Sequence, residues 1–343
     1  MVNNETLIQA VREQLNGTGF SPDIELLPVS GGGNNRAHEV RSGDRSLFLK
    51  EYFQHPNDRR DRLGAEYAFT RFAWDRGLRC IPQPFAMNRS HGFALYEFIR
   101  GRKITPEEVQ ADAVAQAARF FSRLNEFVND PDAQQLPRAS ESCFTVEDHL
   151  ACVDRRVSRL DRIAETSVID REAGRFIREE LRPIWDRLGA SIRQQCASGE
   201  TAREAVPCLS PSDFGFHNAL LEPSGQFRFI DFEYAGLDDP AKMVCDFFCQ
   251  VAVPAPADSA AEFMKRTIDG LRDAETCRQR IKLLMPAYQI KWCCIILNDF
   301  LPTDSARRKF AGQGSDEETR KRMQLDKAIH KFAALDNGGI LLP

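Results

Sequence analysis

Cys208-Leu-Ser-Pro-Ser-Asp-Phe-Gly-Phe-His-Asn-Ala-Leu-Leu-Glu-Pro-Ser-Gly-Gln-Phe-Arg-Phe-Ile-Asp231 sets three oxygen-bearing side chains, Asp213, Asn218 and Asp231, among apolar and turn residues. Pro223-Ser-Gly225 separates the run Asn218–Glu222 from the run Gln226–Asp231, and the two read as strands of a hairpin. With residues 223–226 as the loop, paired positions sum to 449, which sets Asn218 opposite Asp231. Cross-strand neighbours lie about 5 Å apart, the scale on which two groups share a cation. An amide and a carboxylate are hard oxygen ligands of the kind Mg²⁺ accepts while keeping waters and substrate phosphates. Asp213 precedes the hairpin and is left to face a hydroxyl nucleophile.

Asp213, four residues, Asn218, and then a strand ending Ile230-Asp231-Phe-Glu233 resembles the core of the aminoglycoside phosphotransferase and choline kinase family, relatives of the protein kinases. Where that family usually has His-Gly-Asp, this chain reads Pro211-Ser212-Asp213. The family's His organises the loop, so its loss bears on loop geometry more than on chemistry. The resemblance implies that Asp213 acts as the catalytic base and that Asn218 and Asp231 hold Mg²⁺.

Working outward, 343 residues that are 42% hydrophobic suffice for one large domain or two lobes with a sizeable core. A net charge of −4 and a pI near 6.0 argue against nucleic acid as a main partner and favour a small metabolite. The ten Cys residues form no Cys-x-x-Cys pair and have no nearby His cluster, so they read as buried free thiols of a reducing cytosol rather than as a zinc site. The N-terminus lacks the basic and apolar segments of a signal peptide. The most apolar stretch, 283–301, is interrupted by Pro286, Lys291 and Asp299 and reads as a buried helix rather than a membrane span. Its apolar residues 283, 287, 290, 294, 297 and 301 mark one packed face. These readings place the protein in the cytoplasm, with no membrane partner.

In the N-terminal part, a helix over 5–16 and a strand over 24–29 lead into Gly31-Gly32-Gly33-Asn34-Asn35. Such a run suits backbone amides approaching phosphate, and equally a plain hairpin turn. The following strand delivers Lys50, which resembles the nucleotide-lobe lysine of the kinase-like families. There a helix glutamate pairs with it, and Glu66 on the helix 61–76 fits that place, with Asp61 and Glu51 as substitutes. Two further strands surround Ala86 and Phe93–Ile99. The resemblance assigns contact with the nucleotide base to the main chain at Glu97 and Ile99, next to the junction of the lobes at Arg100-Gly101.

Beyond residue 101 the composition turns helical, with a capping-box pattern at Thr105-Pro-Glu-Glu108 and helices over 111–128, 146–164, 170–195 and 319–335. A polar segment, 303–318, reads as a mobile loop. Glu233, Asp238 and Asp239 stand where a cationic substrate could be recognised, whereas Asp246 matches a structural position of the family.

The expected fold is therefore a two-lobed, kinase-like α+β architecture. Residues 1–100 form a small antiparallel-sheet lobe that binds nucleotide. Residues 101–343 form a larger helical lobe carrying the catalytic hairpin 208–231. The expected reaction is Mg²⁺-dependent transfer of the γ-phosphoryl group of ATP or GTP to a hydroxyl of a sugar, an aminoglycoside-like compound or an amino alcohol. A nucleotide-binding pseudokinase scaffold and a kinase acting on protein stay open as alternatives. The short segment between Asp231 and Pro240 favours a small acceptor over a protein.

Overall fold

Hydrophobic alternation in the first hundred residues builds one five-stranded antiparallel sheet. The computed structural model describes residues 4–29, 35–53, 60–196, 200–301 and 317–336. Strands β1 (Ile24–Pro28), β2 (Arg36–Ser42), β3 (Arg45–Glu51), β4 (Pro84–Asn88) and β5 (Phe93–Glu97) lie in the order β1-β2-β3-β5-β4. Gly43, at φ +64°, turns β2 into β3. Because successive strand residues face opposite sides, Leu47 and Leu49 of β3 pack with Val40, Phe93 and Leu95. Helix α1 (Asn4–Leu15) covers that face with Leu7, Ala10, Val11 and Leu15. Phe48 and Lys50 consequently share the opposite face, where Tyr52, Tyr96 and Leu63 of helix α2 (Arg62–Asp75) are found. The Asp61 carboxylate caps α2 by accepting the Gly64 N–H at 2.9 Å.

The rest of the described chain is mainly helical: α3 (Ala111–Asn125), α4 (Val146–Arg159), α5 (Val168–Phe176), α6 (Arg182–Cys196), α7 (Pro240–Cys249), α8 (Ala260–Thr267), α9 (Ala274–Ile296) and α10 (Glu317–Asp336). The one helix expected over 170–195 is in fact α5 and α6 joined by a π-helical turn, Ile177–Leu181. Pro183 has no N–H for the i−4 carbonyl, which accounts for the change of winding just ahead of it. The capping box at Thr105 forms, with the Thr105 N–H donating to Glu108, but it opens only a 3₁₀ turn, Pro106–Glu108. Pro286 is accommodated inside α9, which packs against α7, α4 and α10. None of the described helices is long and apolar enough to cross a membrane. All ten cysteines are free, eight of them buried. Most of the expected mobile loop, 303–316, lies outside the described residues.

Asp170, Glu172 and Asp299 each pair with a basic side chain of helix α10, and Asp170 is the buried one of the three. Asp170, in the capping box that opens α5, accepts Lys321 of α10 at 3.0 Å and is buried. Burial alone would raise its pKa, but Lys321, Ser167 and Thr166 together hold it at about 2. A carboxyl depressed in the folded state contributes stability above its unfolded pKa and loses it as pH falls through the folded value. The expected result is an acid loss of stability between roughly pH 4 and pH 2 that Asp170→Asn flattens, read from urea midpoints across that range. A steepness equal in both proteins would refute the assignment.

The hairpin corrects the sequence reading by one residue. Beyond strand β6 (Cys208–Ser210), strand β7 (Ala219–Leu221) pairs with β8 (Phe227–Phe229) as Ala219↔Phe229, Leu220↔Arg228 and Leu221↔Phe227. The loop is Pro223-Ser-Gly225, closed by Glu222 N–H to Gln226 O at 3.0 Å, with Gly225 at φ +84°. A glycine in the left-handed region lets three residues do what four were assigned. Asn218 therefore stands opposite Ile230, which donates its N–H to the Asn218 carbonyl at 2.9 Å, and Asp231 lies one residue beyond.

Candidate active site

An aromatic cluster holds the loop before the hairpin. Phe214 lies 5.3 Å from Phe247 of α7 and 5.2 Å from Phe229 of β8, and Phe120 of α3 stacks on Phe229 at 5.2 Å. Asn125 of α3 brackets Leu209 with two hydrogen bonds, one to its carbonyl and one from its N–H. The loop is thus anchored although no histidine stands at position 211. Ser212 and Asp231 both adopt positive φ, +65° and +69°. Non-glycine residues there carry about 1–3 kcal/mol each, a cost borne mostly at functional sites.

Three carboxylates and one ammonium meet between sheet and hairpin. Lys50 Nζ donates to Glu66 Oε2 at 2.6 Å and to Asp231 Oδ1 at 2.5 Å, with Glu233 Oε2 at 3.8 Å. Burial would lower the lysine pKa, but the three acids hold it well above the ordinary range. Glu66 also accepts from the Tyr52 hydroxyl and from the Phe232 N–H. Burial outweighs Lys50 and lifts Glu66 to about 7. Burial, too, raises the pKa of Asp231, which Lys50 offsets only in part. Ligand oxygens of Glu66, Asp231 and Glu233 lie within 4.8 Å of one another. Glu66 and Glu233 are engaged by Lys50 and Arg62, so Asp231, with Asn218 lining the same cavity, offers the hard oxygens that suit a divalent cation such as Mg²⁺.

Asp213 sits across from that group with its side chain 38% exposed. Its Oδ2 and main-chain carbonyl accept from the Asn218 amide nitrogen, at 3.3 and 3.0 Å. That engagement leaves Asn218 Oδ1 as the side-chain atom able to meet a cation. Burial would raise the Asp213 pKa, but His217 and the Asn218 amide bring it below the ordinary value.

A cavity of about 1070 Å³ opens beside these groups. Val29 and Ala37 of the sheet lobe line it, as do Leu220, Ile230 and Tyr96, giving apolar walls suited to a flat base. Lys50, Glu66, Asn218 and Asp231 stand at its polar end, and Asn35, Glu97 and Ile99 also border it. Asn35 bridges inward, its amide donating to Glu233 at 2.7 Å. Gly31, Gly32, Gly33 and Asn34 lie outside the described residues. Of the two main-chain contacts expected for a base, the Glu97 N–H is already taken by the Gln83 carbonyl at 2.8 Å. The Glu97 carboxylate accepts from Arg228.

The acidic residues after the hairpin are internal struts rather than an open wall. Glu233 is 3% exposed and clamped by Arg62 at 2.8 Å. Asp238 has no exposed surface; it accepts from the Cys143 and Asp239 N–H groups and from Lys242 Nζ. Asp239, equally buried, caps α7 through the Ala241 N–H and meets His149 and Arg280. With their oxygens occupied and no water-facing surface, Asp238 and Asp239 are not placed to recognise a substrate. Asp246 of α7 is bound by Lys291 and Trp292 of α9.

Sequence reasoning did not single out two residues that reach the cavity. Lys103 lines it and donates to the His217 carbonyl at 2.6 Å. His217 lines it too, its Nε2 lying 3.1 Å from Asp213 Oδ1. The Asp-x3-His spacing was the available signal for the second, but a four-residue interval outside a helix does not by itself bring side chains together.

The chain matches the family model described as APH, phosphotransferase enzyme family, over residues 25–284. Among solved structures it is similar to choline kinase from Cryptosporidium parvum Iowa II, with a TM-score of 0.63 and 14% identity over 99% of this chain and 98% of that one. It is also similar to a choline/ethanolamine kinase family protein from Mesorhizobium loti, at 0.59 and 17% over 94% of each chain. A spectinomycin phosphotransferase in complex with ADP and spectinomycin gives 0.59 and 14%, over 92% of this chain and 98% of that one. No curated protein matches the sequence.

Proposed function

The chain belongs to the phosphotransferase enzyme family, and from that premise we propose that it transfers the γ-phosphoryl group of ATP or GTP to a hydroxyl of a small molecule. The carrying observation is the convergence of Asn218, Asp231 and the Lys50–Glu66 pair on one cavity, with Asp213 hydrogen-bonded to two of its lining residues, His217 and Asn218. The structures it is similar to, named for choline, ethanolamine and spectinomycin, support an amino alcohol, an aminoglycoside-like compound or a sugar as the acceptor class.

In this reading Lys50, held by Glu66, turns from Asp231 to the nucleotide phosphates. Asn218 and the Asp231 carboxylate would hold Mg²⁺, which would supply charge neutralisation at the phosphates. Asp213 orients the acceptor hydroxyl through Oδ2 and takes its proton. The acceptor oxygen forms a bond to the γ-phosphorus while the bond to the bridging oxygen breaks, releasing the nucleoside diphosphate. Lys103, like Arg100 and Arg102, adds positive charge on the cavity wall.

The test is a screen of small hydroxyl compounds with ATP or GTP and Mg²⁺, following nucleoside diphosphate release. Acceptor-dependent release is the expected result. Nucleotide binding without release for any acceptor would instead support a scaffold. Asp231→Asn is expected to weaken Mg²⁺-dependent nucleotide binding by about 10–100-fold, in the range reported for disturbed metal sites. Calorimetric titration with and without Mg²⁺ reads this directly, and an unchanged affinity would remove Asp231 from the metal site.

A further inference from the structure

We infer that His217 is a positioning residue: its Nε2–H, donated to Asp213 Oδ1, fixes the carboxylate so that Oδ2 faces the acceptor hydroxyl. This rests on the proposed role of Asp213 as the base. The geometry supplies the argument. Nε2 lies 3.1 Å from Oδ1, and the other ring nitrogen, Nδ1, is buried with no hydrogen-bond partner. A ring with one partnered nitrogen has its proton placed by that partner, because an acceptor-only carboxylate demands a donor. Nε2–H is therefore the required form. The Asn218 amide reaches Oδ2 only at 3.3 Å, so His217 makes the shorter side-chain restraint on the carboxylate.

The loop is built around the ring. The Lys103 ammonium holds the His217 carbonyl. A Cβ on Gly215 would lie 2.9 Å from His217 Nδ1 and 3.1 Å from Cε1. At φ 163° Gly215 is simply extended, so its requirement is for space beside the imidazole. The position at 211, where the resembling family carries its loop histidine, is a proline here. In this chain the imidazole reaches the loop from the hairpin side, acting on the carboxylate itself.

Two measurements test this. In protein labelled with ¹⁵N-histidine, the nitrogen shifts of His217, assigned by its loss in His217→Gln, are expected to show a protonated Nε2. An unprotonated or averaged Nε2 would overturn the inference whether or not an acceptor is known. The second follows ADP release from MgATP with ethanolamine, choline or, failing both, water as acceptor. His217→Ala and Gly215→Ala are each expected to lower kcat about 10–100-fold, the scale of an ångström misplacement. The KM for ATP should change far less than kcat, since the His217 side chain bonds to Asp213 and not to the Lys50–Glu66 end of the cavity. Gln carries its amide nitrogen the same number of bonds from Cα as Nε2, so His217→Gln should return kcat to within about threefold of wild type. Should Gln fail as badly as Ala, packing of the ring rather than its hydrogen bond would matter, and the inference falls. Asp213→Ala run alongside separates the failures: if it stays active, the base assignment fails first. If it is inactive while His217→Ala keeps full kcat, only the role of His217 is lost.

Discussion

Asp213→Ala is expected to lower kcat by about 10²–10⁴, the range for loss of a positioned general base, with nucleotide affinity changed by no more than about twofold. The separation follows from the layout. Asp213 makes its hydrogen bonds to His217 and Asn218 and none to Lys50, whereas the Lys50 ammonium, proposed to meet the phosphates, is bound by Glu66 and Asp231. Removing the carboxylate therefore takes away the proton acceptor and leaves the phosphate-binding end standing. The side chain is partly exposed, so truncation should not unfold the protein. Single-turnover and steady-state release with the best acceptor, together with calorimetric nucleotide titration, check both halves. Turnover at the wild-type rate would exclude Asp213 as the base, and a parallel collapse of nucleotide affinity would mean that the loop had moved.

The second large effect falls on stability. Asp246→Ala should cost about 3–5 kcal/mol, the usual price of stripping one partner from a buried ion pair. Both Asp246 oxygens lie 2.8 Å from Lys291 Nζ, and Oδ1 also accepts from Trp292 Nε1 at 2.8 Å. Lys291 is only 4% exposed, so once its carboxylate is gone the ammonium has neither that partner nor ready access to water. Lys242, 3.6 Å from Asp246, keeps Asp238 at 2.8 Å and is less affected. The expected drop in Tm is on the order of 10 °C for a chain of this size. Replacing both partners at once, Asp246→Leu with Lys291→Met, should recover much of the loss, because a buried pair contributes little net stability over apolar side chains. Urea melts of the wild type and these two variants decide it. A single-variant cost below about 1 kcal/mol would show that water reaches the pair.

Much of this was legible in the residues because it is local. The alternation Leu47-Phe-Leu-Lys50 fixes which face the lysine takes once the strand is recognised. The spacing of Asp213, Asn218 and Asp231, read with the glycine-marked turn, located the hairpin. Its register was misjudged by one residue, because the choice between a three- and a four-residue loop depends on Gly225 taking positive φ, which the identity of a residue permits but does not compel. Asp238 and Asp239 were misread because acidic residues in a connecting segment are usually solvated, and nothing nearby in sequence announces that Cys143, His149 and Arg280 close over them.

What the sequence determined by itself is the set of short-range features: strand faces, caps, the turn, and the residue types able to hold a cation or take a proton. Tertiary structure alone decided the long-range pairings. Lys50 reaches Asp231 across 181 residues, Asn35 reaches Glu233 across 198, and Asp246 reaches Lys291 across 45. Periodicity records which side of its own element a residue occupies. It carries no term for which other element arrives there, and a buried charge is tolerated only when that arrival brings its partner.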